Sequence, residues 1–247
     1  MTVLVLTAYS ITSGDDDNER TPPSAATPGV TAPTPPASPA PSYSRPREWT
    51  EPQRWTALPP GSRTDDHKNP VGFPRTTEGA VASMLPPNSS RIEGTRSARV
   101  EQREHFESYM EKAYRTPENL RKTEEQAAAL DRDLAKEMGV AQGSPLPPGA
   151  YVHATVVGYK IIKQSDTEVS AWLLSRVVQK NGELEQEVAS YRLTISGARW
   201  ESDDWKIGLM TTAEATQAVE GRAEPPIVAV GDKAFNDGGW TAIRSAS

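Results

Sequence analysis

The sequence predicts an α+β fold, with helices first and an antiparallel sheet after them. The prediction rests on the spacing of apolar residues, which changes once along the chain. Apolar residues recur with the helical period of about 3.6 as far as Met138, and with the strand period of two from Tyr151 onward. Short turn-like segments join the alternating stretches, as antiparallel neighbours allow. We therefore expect N-terminal helices packed on a four-stranded antiparallel meander that runs from about Pro147 to Met210.

The first 54 residues do not resemble a packed core. Met1–Ser13 is apolar and uncharged, but it is shorter than the roughly 20 residues of a membrane span. It is either an unstructured start or a partial membrane segment whose other half lies upstream, and the stalk that follows favours the second interpretation. Residues 14–54 are rich in Pro, Thr and Ser, a composition that predicts a disordered, extended stalk. Residues 55–212 are expected to form one α+β domain.

Three helices are predicted, each from its own start or stop signal. Thr76 or Thr77 caps the first, which ends at Pro86-Pro87. The second runs from about Ala98 to Tyr114, and the third begins at Thr116-Pro117 and ends at Gly139. Their apolar stripes are Ala80, Val81, Met84 and Leu85, then Phe106, Tyr109, Met110 and Ala113, then Leu120, Ala127, Leu130, Leu134 and Met138.

Four strands follow, rich in β-branched and aromatic residues. The first two are Tyr151–Ile162 and Val169–Val178, and Asn181-Gly182 predicts a tight type I′ turn after them. A turn at Glu201–Asp204 leads into the last strand, Trp205–Leu209. In the third strand Ala189, Tyr191, Leu193 and Ile195 alternate with Ser190, Arg192, Thr194 and Ser196. One sheet face is therefore expected to be polar, and the helices are expected to cover the other.

The rest of the chain, residues 213–247, has no clear period and is predicted to be a loosely ordered tail. Ile227–Val230 is a candidate edge strand within it. The net charge of −6 and the pI near 5.3 argue against direct nucleic-acid binding, because no basic stripe is present. The absence of cysteine excludes disulfides, thiol catalysis and Cys-based zinc sites.

No catalytic, cofactor-binding or metal-ligating residue is predicted. His67, His105 and His153 lack ligand spacing; Asp65-Asp66-His67 is typical of a solvated loop, and His105 of a helix surface. Asp203 and Asp204 are expected at a wet hairpin tip, unsuited to acid–base work. Six large aromatic residues are expected mainly in the core: Trp172, Trp200, Trp205, Tyr151, Tyr159 and Tyr191.

A family resemblance takes the interpretation further. Trp55-Thr-Ala-Leu-Pro, followed by Gly72-Phe-Pro-Arg-Thr-Thr-Glu-Gly-Ala-Val-Ala, resembles a W-x-x-LP … GF-x-x-T-x-x-GA-x-x-A pattern. That pattern occurs in membrane-anchored proteins of high-GC Gram-positive bacteria, often associated with conjugative elements. Helices followed by a bent sheet that ends in Asp204-Trp205-Lys206-Ile207 also resemble the curved, cone-shaped cystatin-like fold of the nuclear-transport-factor class. Together these features resemble the extracytoplasmic domain of type IV secretion assembly subunits.

The resemblance implies a non-enzymatic structural or accessory component of a conjugative DNA-transfer or type IV secretion apparatus. It implies a folded domain outside the cell membrane, and other subunits of the transfer complex, or further copies of this chain, as partners. The lack of a complete N-terminal span departs from the pattern. Two alternatives stay open: a cone-fold domain that binds a small ligand or is an enzyme, and a cell-surface interaction module unrelated to DNA transfer.

Overall fold

A seven-stranded, mostly antiparallel sheet organises residues 49–244, the part of the chain that the computed structural model describes. The fold is mixed α+β, as predicted. Met1–Ser13 and the stalk up to residue 48 lie outside the described residues, and so do residues 245–247. None of the helices between residues 49 and 244 has the length and hydrophobicity that a membrane span requires.

The N-terminal half carries short strands and the three predicted helices. In chain order the elements are β1 (Trp55–Thr56), β2 (Arg63–Thr64), β3 (Pro70–Val71), α1 (Thr77–Met84), β4 (Ser90–Glu93), α2 (Ala98–Tyr109) and α3 (Pro117–Glu137). The Thr76 hydroxyl caps α1 by accepting from the Gly79 amide, and Thr116 caps α3 in the same way through Asn119. Gly139 follows α3 with a φ of 67°, so both predicted boundaries of this helix are confirmed.

The C-terminal half supplies the long strands. They are β5 (Ala150–Gln164), β6 (Glu168–Asn181), β7 (Val188–Glu201) and β8 (Asp204–Ile207), followed by α4 (Leu209–Val219), α5 (Lys233–Asp237) and β9 (Thr241–Ile243). The predicted sheet of four strands is too small. The strand order is β1-β9-β5-β6-β7-β8, and β4 also pairs with β5.

Helix α2 is shorter than predicted because a strand competes for its last turn. It ends at Tyr109, and Met110 adopts an extended conformation that forms a parallel bridge with Ile207 of β8. The Glu111 amide then donates to the Ile207 carbonyl at 3.2 Å. Residues Lys112–Tyr114 form only a 3₁₀ turn. A pairing between distant residues thus overrides the local helical pattern.

The tight turn occurs at a different hairpin from the one predicted. Asn181 and Gly182 do not have positive φ values, and six residues separate β6 from β7. Between β7 and β8, Ser202 and Asp203 have φ values of 53° and 60°, as the two central residues of a type I′ turn require. The predicted Asn-Gly turn is therefore wrong, and the predicted turn at Glu201–Asp204 is confirmed.

Both faces of the sheet are covered, in contrast to the predicted polar face. The inner face, defined by Leu173 and the residues on its side, packs on Val81 and Met84 of α1. Thr194 of β7 lies opposite Leu173, so the polar series from Ser190 to Ser196 belongs to this inner face. A second inner-face cluster joins the helices to the strands through Ile92, Ala98, Ala127, Leu134 and Val152.

The outer face is covered by the C-terminal segment that was predicted to be loose. Phe235 and Trp240 are 0% and 1% exposed and pack against Leu174 and Leu193. The predicted tail is therefore wrong, because its few large apolar residues contact distant strands and show no local period. Residues 227–230 form no strand; the strand that this segment adds to the sheet is β9, which lies between β5 and the edge strand β1. The predicted last strand also ends early, since Leu209 begins α4.

Residues 49–54, predicted as the end of the stalk, are docked on the same C-terminal segment. The Thr50 amide donates to the Gly231 carbonyl at 2.8 Å, and the Ala242 amide donates to the Arg54 carbonyl at 2.9 Å. Pro52 is buried. The packed unit therefore begins before Trp55 and extends beyond residue 212.

Candidate functional site

A cleft lies where strand β5 lacks a neighbour on one side. β4 pairs with β5 as far as Ala154, and β9 pairs with it from Gly158. Within the described residues, the strand pairings of Thr155 and Val156 are to β6 alone. Two cavities open at this interruption, and both are lined by Pro86 and Thr155. We call them the apolar and the polar compartment of the cleft.

The apolar compartment has a volume of about 650 Å³. Loop residues before α1, the end of α1 and the last residues of β9 build its walls. Its lining includes the apolar residues Leu58, Pro59, Pro60, Phe73, Leu85 and Ile243, together with the two arginines Arg63 and Arg244. Leu58 and Leu85 are only partly buried, so this lining offers apolar surface at the mouth of the cleft.

The polar compartment has a volume of about 430 Å³ and is lined by Arg91, Glu101, His105 and His153. His105 of α2 is 8% exposed, and its Nδ1 atom has no hydrogen-bond partner among the described residues. Burial, reinforced by the positive charge of Arg96, lowers the pKa of His105 to about 4. The imidazole is therefore neutral at pH 7 and has an unused ring nitrogen.

The charged groups around the polar compartment are compensated. Glu101 is 3% exposed; it accepts from the Arg91 amide at 2.9 Å and lies 3.5 Å from Nε of Arg96. Burial raises the pKa of Glu101, and these two contacts oppose that shift. Glu93 pairs with Arg91 at 3.1 Å and with His153 at 3.0 Å. The compartment is polar without an uncompensated charge.

Other buried carboxylates hold main-chain amides in place. Asp204 is 2% exposed and accepts from the amides of Phe73 and Trp205, both at 2.9 Å. Glu111 accepts from the amide of Leu209, the first residue of α4, at 3.0 Å. The prediction of a wet hairpin tip holds for exposed Asp203 and is wrong for Asp204, which faces the core because β8 begins there.

The three histidines occupy different environments. His67 lies in a loop and pairs with Glu107 at 2.8 Å, and Asp65 accepts from the His67 amide within the same loop. His105 was expected on a helix surface; that prediction is wrong, because the buried side of α2 includes Glu101 and His105, one turn apart. In residues 49–244 no three His, Asp or Glu side chains come together as a metal site.

The aromatic residues are mostly structural. Trp205 and Tyr159 are buried in the inner core, at 1% and 7% exposure. Trp200 packs edge-on against Trp205 with ring centroids 5.4 Å apart. Trp172 and Tyr191 are half-buried against the outer cluster. Tyr151 instead stacks on His153 with centroids 4.6 Å apart, beside the polar compartment.

No protein-family model, curated protein or solved structure matches this chain. The cleft itself was not predicted from the sequence. One available signal was the spacing of Ala98, Glu101, His105 and Tyr109, which repeats every three or four residues and places two ionisable groups on the buried side of a helix. The interrupted edge of β5 had no signal, since β4 and β9 lie about 60 and 85 residues away in the chain.

Proposed function

We propose that this chain is a non-catalytic binding domain that acts by assembly with another protein, whose extended segment enters the cleft beside β5. The observation that carries this proposal is the apolar compartment, which opens directly beside the interrupted edge of β5. An exposed strand edge offers main-chain hydrogen bonds to an incoming segment, and adjacent apolar pockets select its side chains.

The apolar compartment would supply most of the binding energy. Only about three residues of β5 lie between the two neighbouring strands, so few main-chain bonds are available. Burial of a leucine-sized side chain contributes about 2 kcal/mol, roughly twice the net value of one hydrogen bond. A partner segment with one or two large apolar residues fits this arrangement best.

The arrangement of the buried carboxylates supports a role without catalysis. A general base needs a free lone pair within reach of a substrate proton. Asp204 and Glu111 instead accept hydrogen bonds from main-chain amides of other elements. Glu101 is engaged by the Arg91 amide and lies beside Arg96. These groups stabilise the positions of β4, β8 and α4.

We further propose that the partner is another subunit of a membrane-associated DNA-transfer or type IV secretion apparatus, and that the domain has the cone-shaped, cystatin-like form. Support comes from the resemblance described above and from where its residues lie. Leu58, Pro59 and Phe73 belong to the resembling motif, and all three line the apolar compartment. Another copy of this chain is a possible partner of the same kind.

Substitutions at the mouth of the cleft test this proposal. Leu58→Arg should abolish co-purification with the partner subunit and reduce DNA transfer to the level of a gene deletion, because Arg63 and Arg244 already line the compartment and none of its lining residues is acidic. Leu184→Arg is the matched control, since Leu184 is 98% exposed and lines neither compartment. Pro60→Arg, at an exposed rim position, replaces Leu58→Arg if that variant fails to fold. Normal transfer with the folded cleft variant would contradict the proposal.

A small uncharged molecule in the polar compartment is the second candidate. The unused Nδ1 atom of His105 favours it, and so does a volume within the roughly 300–1,000 Å³ of known ligand sites. The compensated charges select against ions. Native mass spectrometry of the full chain should then show a retained ligand that is lost in His105→Phe and kept in His67→Phe. A ligand-free spectrum after gentle purification would exclude this candidate.

A further inference from the structure

A seam of polar side chains crosses the apolar inner face of the sheet. Ser175 of β6 lies between Leu173, which packs on α1, and Val177, which packs on the α3 cluster. Arg192 of β7 is the cross-strand partner of Ser175, and Thr194 is the partner of Leu173. The alternation of side chains puts all three polar groups on the inner face. They form a contiguous group on neighbouring strands.

These groups have no partners within the described part of the chain. Oγ of Ser175, Nε of Arg192 and Oγ1 of Thr194 are buried without a hydrogen bond, and Ser175 is 0% exposed. Two other arginines on the same strands do have carboxylates nearby. Arg176 lies 3.7 Å from Glu187 and Arg199 lies 4.0 Å from Glu168. No carboxylate in residues 49–244 pairs with Arg192, and burial alone lowers its pKa.

Such an arrangement is costly unless a ligand completes it. The Nε–H group of Arg192 and the two hydroxyls are removed from water without a hydrogen-bond partner in its place, and each such group carries a desolvation penalty. Burial lowers the pKa of Arg192, but arginine is the most basic side chain and keeps its proton at neutral pH, so the charge stays. Arg192 is also half-buried and not fully enclosed, which leaves a route from solvent to its side chain.

We propose that Ser175, Arg192 and Thr194 form a binding site for a small oxyanion. The guanidinium presents Nε and a terminal nitrogen as a planar pair of donors, which matches two oxygens of one carboxylate or phosphate. The two hydroxyls donate to the remaining lone pairs. The site is separate from the cleft and does not depend on the function proposed for it. It would couple the stability of the sheet and α3 to the concentration of the anion.

Thermal unfolding of the full chain tests the site. Phosphate and acetate are each added at constant ionic strength, with chloride as the reference salt. An oxyanion present at ten times its Kd should raise the Tm by roughly 3–6 °C. The response to phosphate against that to acetate shows whether a phosphoryl or a carboxylate ligand is preferred. Arg192→Met should remove the response, and Arg199→Met, on the same strand but exposed, should keep it.

Two outcomes would overturn the proposal. One is a Tm that is the same in all three salts, and the other is an equal anion response in Arg192→Met and wild type. If Arg192→Met does not fold, the wild-type protein still decides the question. In an NMR titration of the wild-type protein, the Nε–Hε resonance of Arg192 should shift with added phosphate or acetate until the site is saturated. The absence of a shift up to a 50-fold molar excess of either anion would count against the site.

Discussion

Single buried polar side chains divide into two groups in this molecule. In the first group, each carboxylate accepts a hydrogen bond from a main-chain amide of another part of the fold, which compensates for its burial. This group consists of Asp204, Glu111 and Glu101. Oγ of Ser175 and Nε of Arg192 are buried without hydrogen-bond partners. The first group holds the fold together, because a charge-assisted bond to a buried amide contributes about 1.5–3 kcal/mol. The second group lowers stability until something binds to it.

Asp204→Asn should lower the free energy of unfolding by roughly 2–4 kcal/mol, because the substitution removes the charge that pairs with Lys206 at 3.0 Å. Lys206 is then left with a side chain that is 14% exposed and with no other ion-pair partner in residues 49–244. The neighbouring exposed residue provides the control, since Asp203→Asn keeps a residue type that tolerates a φ of 60°. Urea unfolding of both variants measures the difference; equal stabilities would contradict the role assigned to Asp204.

The pH dependence of stability should reveal His105. Its pKa is lowered from 6.5 to about 4 by burial, so the unfolded chain binds the proton more tightly than the folded one. Stability is therefore fully present above pH 6.5 and is lost as the pH falls toward 4, by roughly 3 kcal/mol in total. His105→Gln should flatten this slope, and His67→Gln should not. A slope that is unchanged in His105→Gln would show that His105 titrates normally.

Strand β7 and helix α4 meet at a contact that only glycine permits. A Cβ atom on Gly197 would lie 2.8 Å from the Thr212 nitrogen, and the Gly197 amide donates to the Thr212 hydroxyl at 2.9 Å. By contrast, a Cβ atom on Gly182 would meet only Glu185 Cγ, at 3.8 Å. Of these two glycines, the one inside a strand is the one that the packing requires.

Gly197→Ala should cost at least about 2 kcal/mol, because α4 must move away from the sheet to make room. Gly182→Ala should change stability by less than about 0.5 kcal/mol, since its backbone is not in the left-handed region. Chemical denaturation of the pair separates the two cases. A large loss of stability in Gly182→Ala would instead support the tight turn that the Asn-Gly pattern predicts.

Helices α1 and α3 follow from the sequence because their signals are local. Thr76, Thr116 and Gly139 act within a few residues of the boundaries they set. The end of α2 depends on Ile207, almost 100 residues away, and no local pattern contains that information. The candidate sites share this property. The cleft needs β4, β5 and β9 together, and the seam needs the register that pairs Ser175 with Arg192.

At the scale of the whole packed unit, its first and last segments contact each other. β1 pairs in parallel with β9, and Trp55 lies opposite Ala242. The Asn236 side chain donates to the Glu51 carbonyl and accepts from the Gln53 amide, at 3.0 and 2.9 Å. The C-terminal segment is therefore part of the core.

Trp240→Ala should consequently destabilise the whole protein by about 3–5 kcal/mol, since it opens a cavity in the outer cluster. It also removes the indole that donates to the Pro226 carbonyl at 3.0 Å. Trp49→Ala is the matched control: Trp49 belongs to the same terminal contact but is 46% exposed, so its loss should cost about 1 kcal/mol or less. Limited proteolysis should leave the segment from Trp49 to Ile243 intact in the wild type, and should cut early after Val219 in Trp240→Ala alone. If the C-terminal segment were a loose tail, protease would remove it from the wild type first, and both tryptophan variants would unfold at the same urea concentration as the parent.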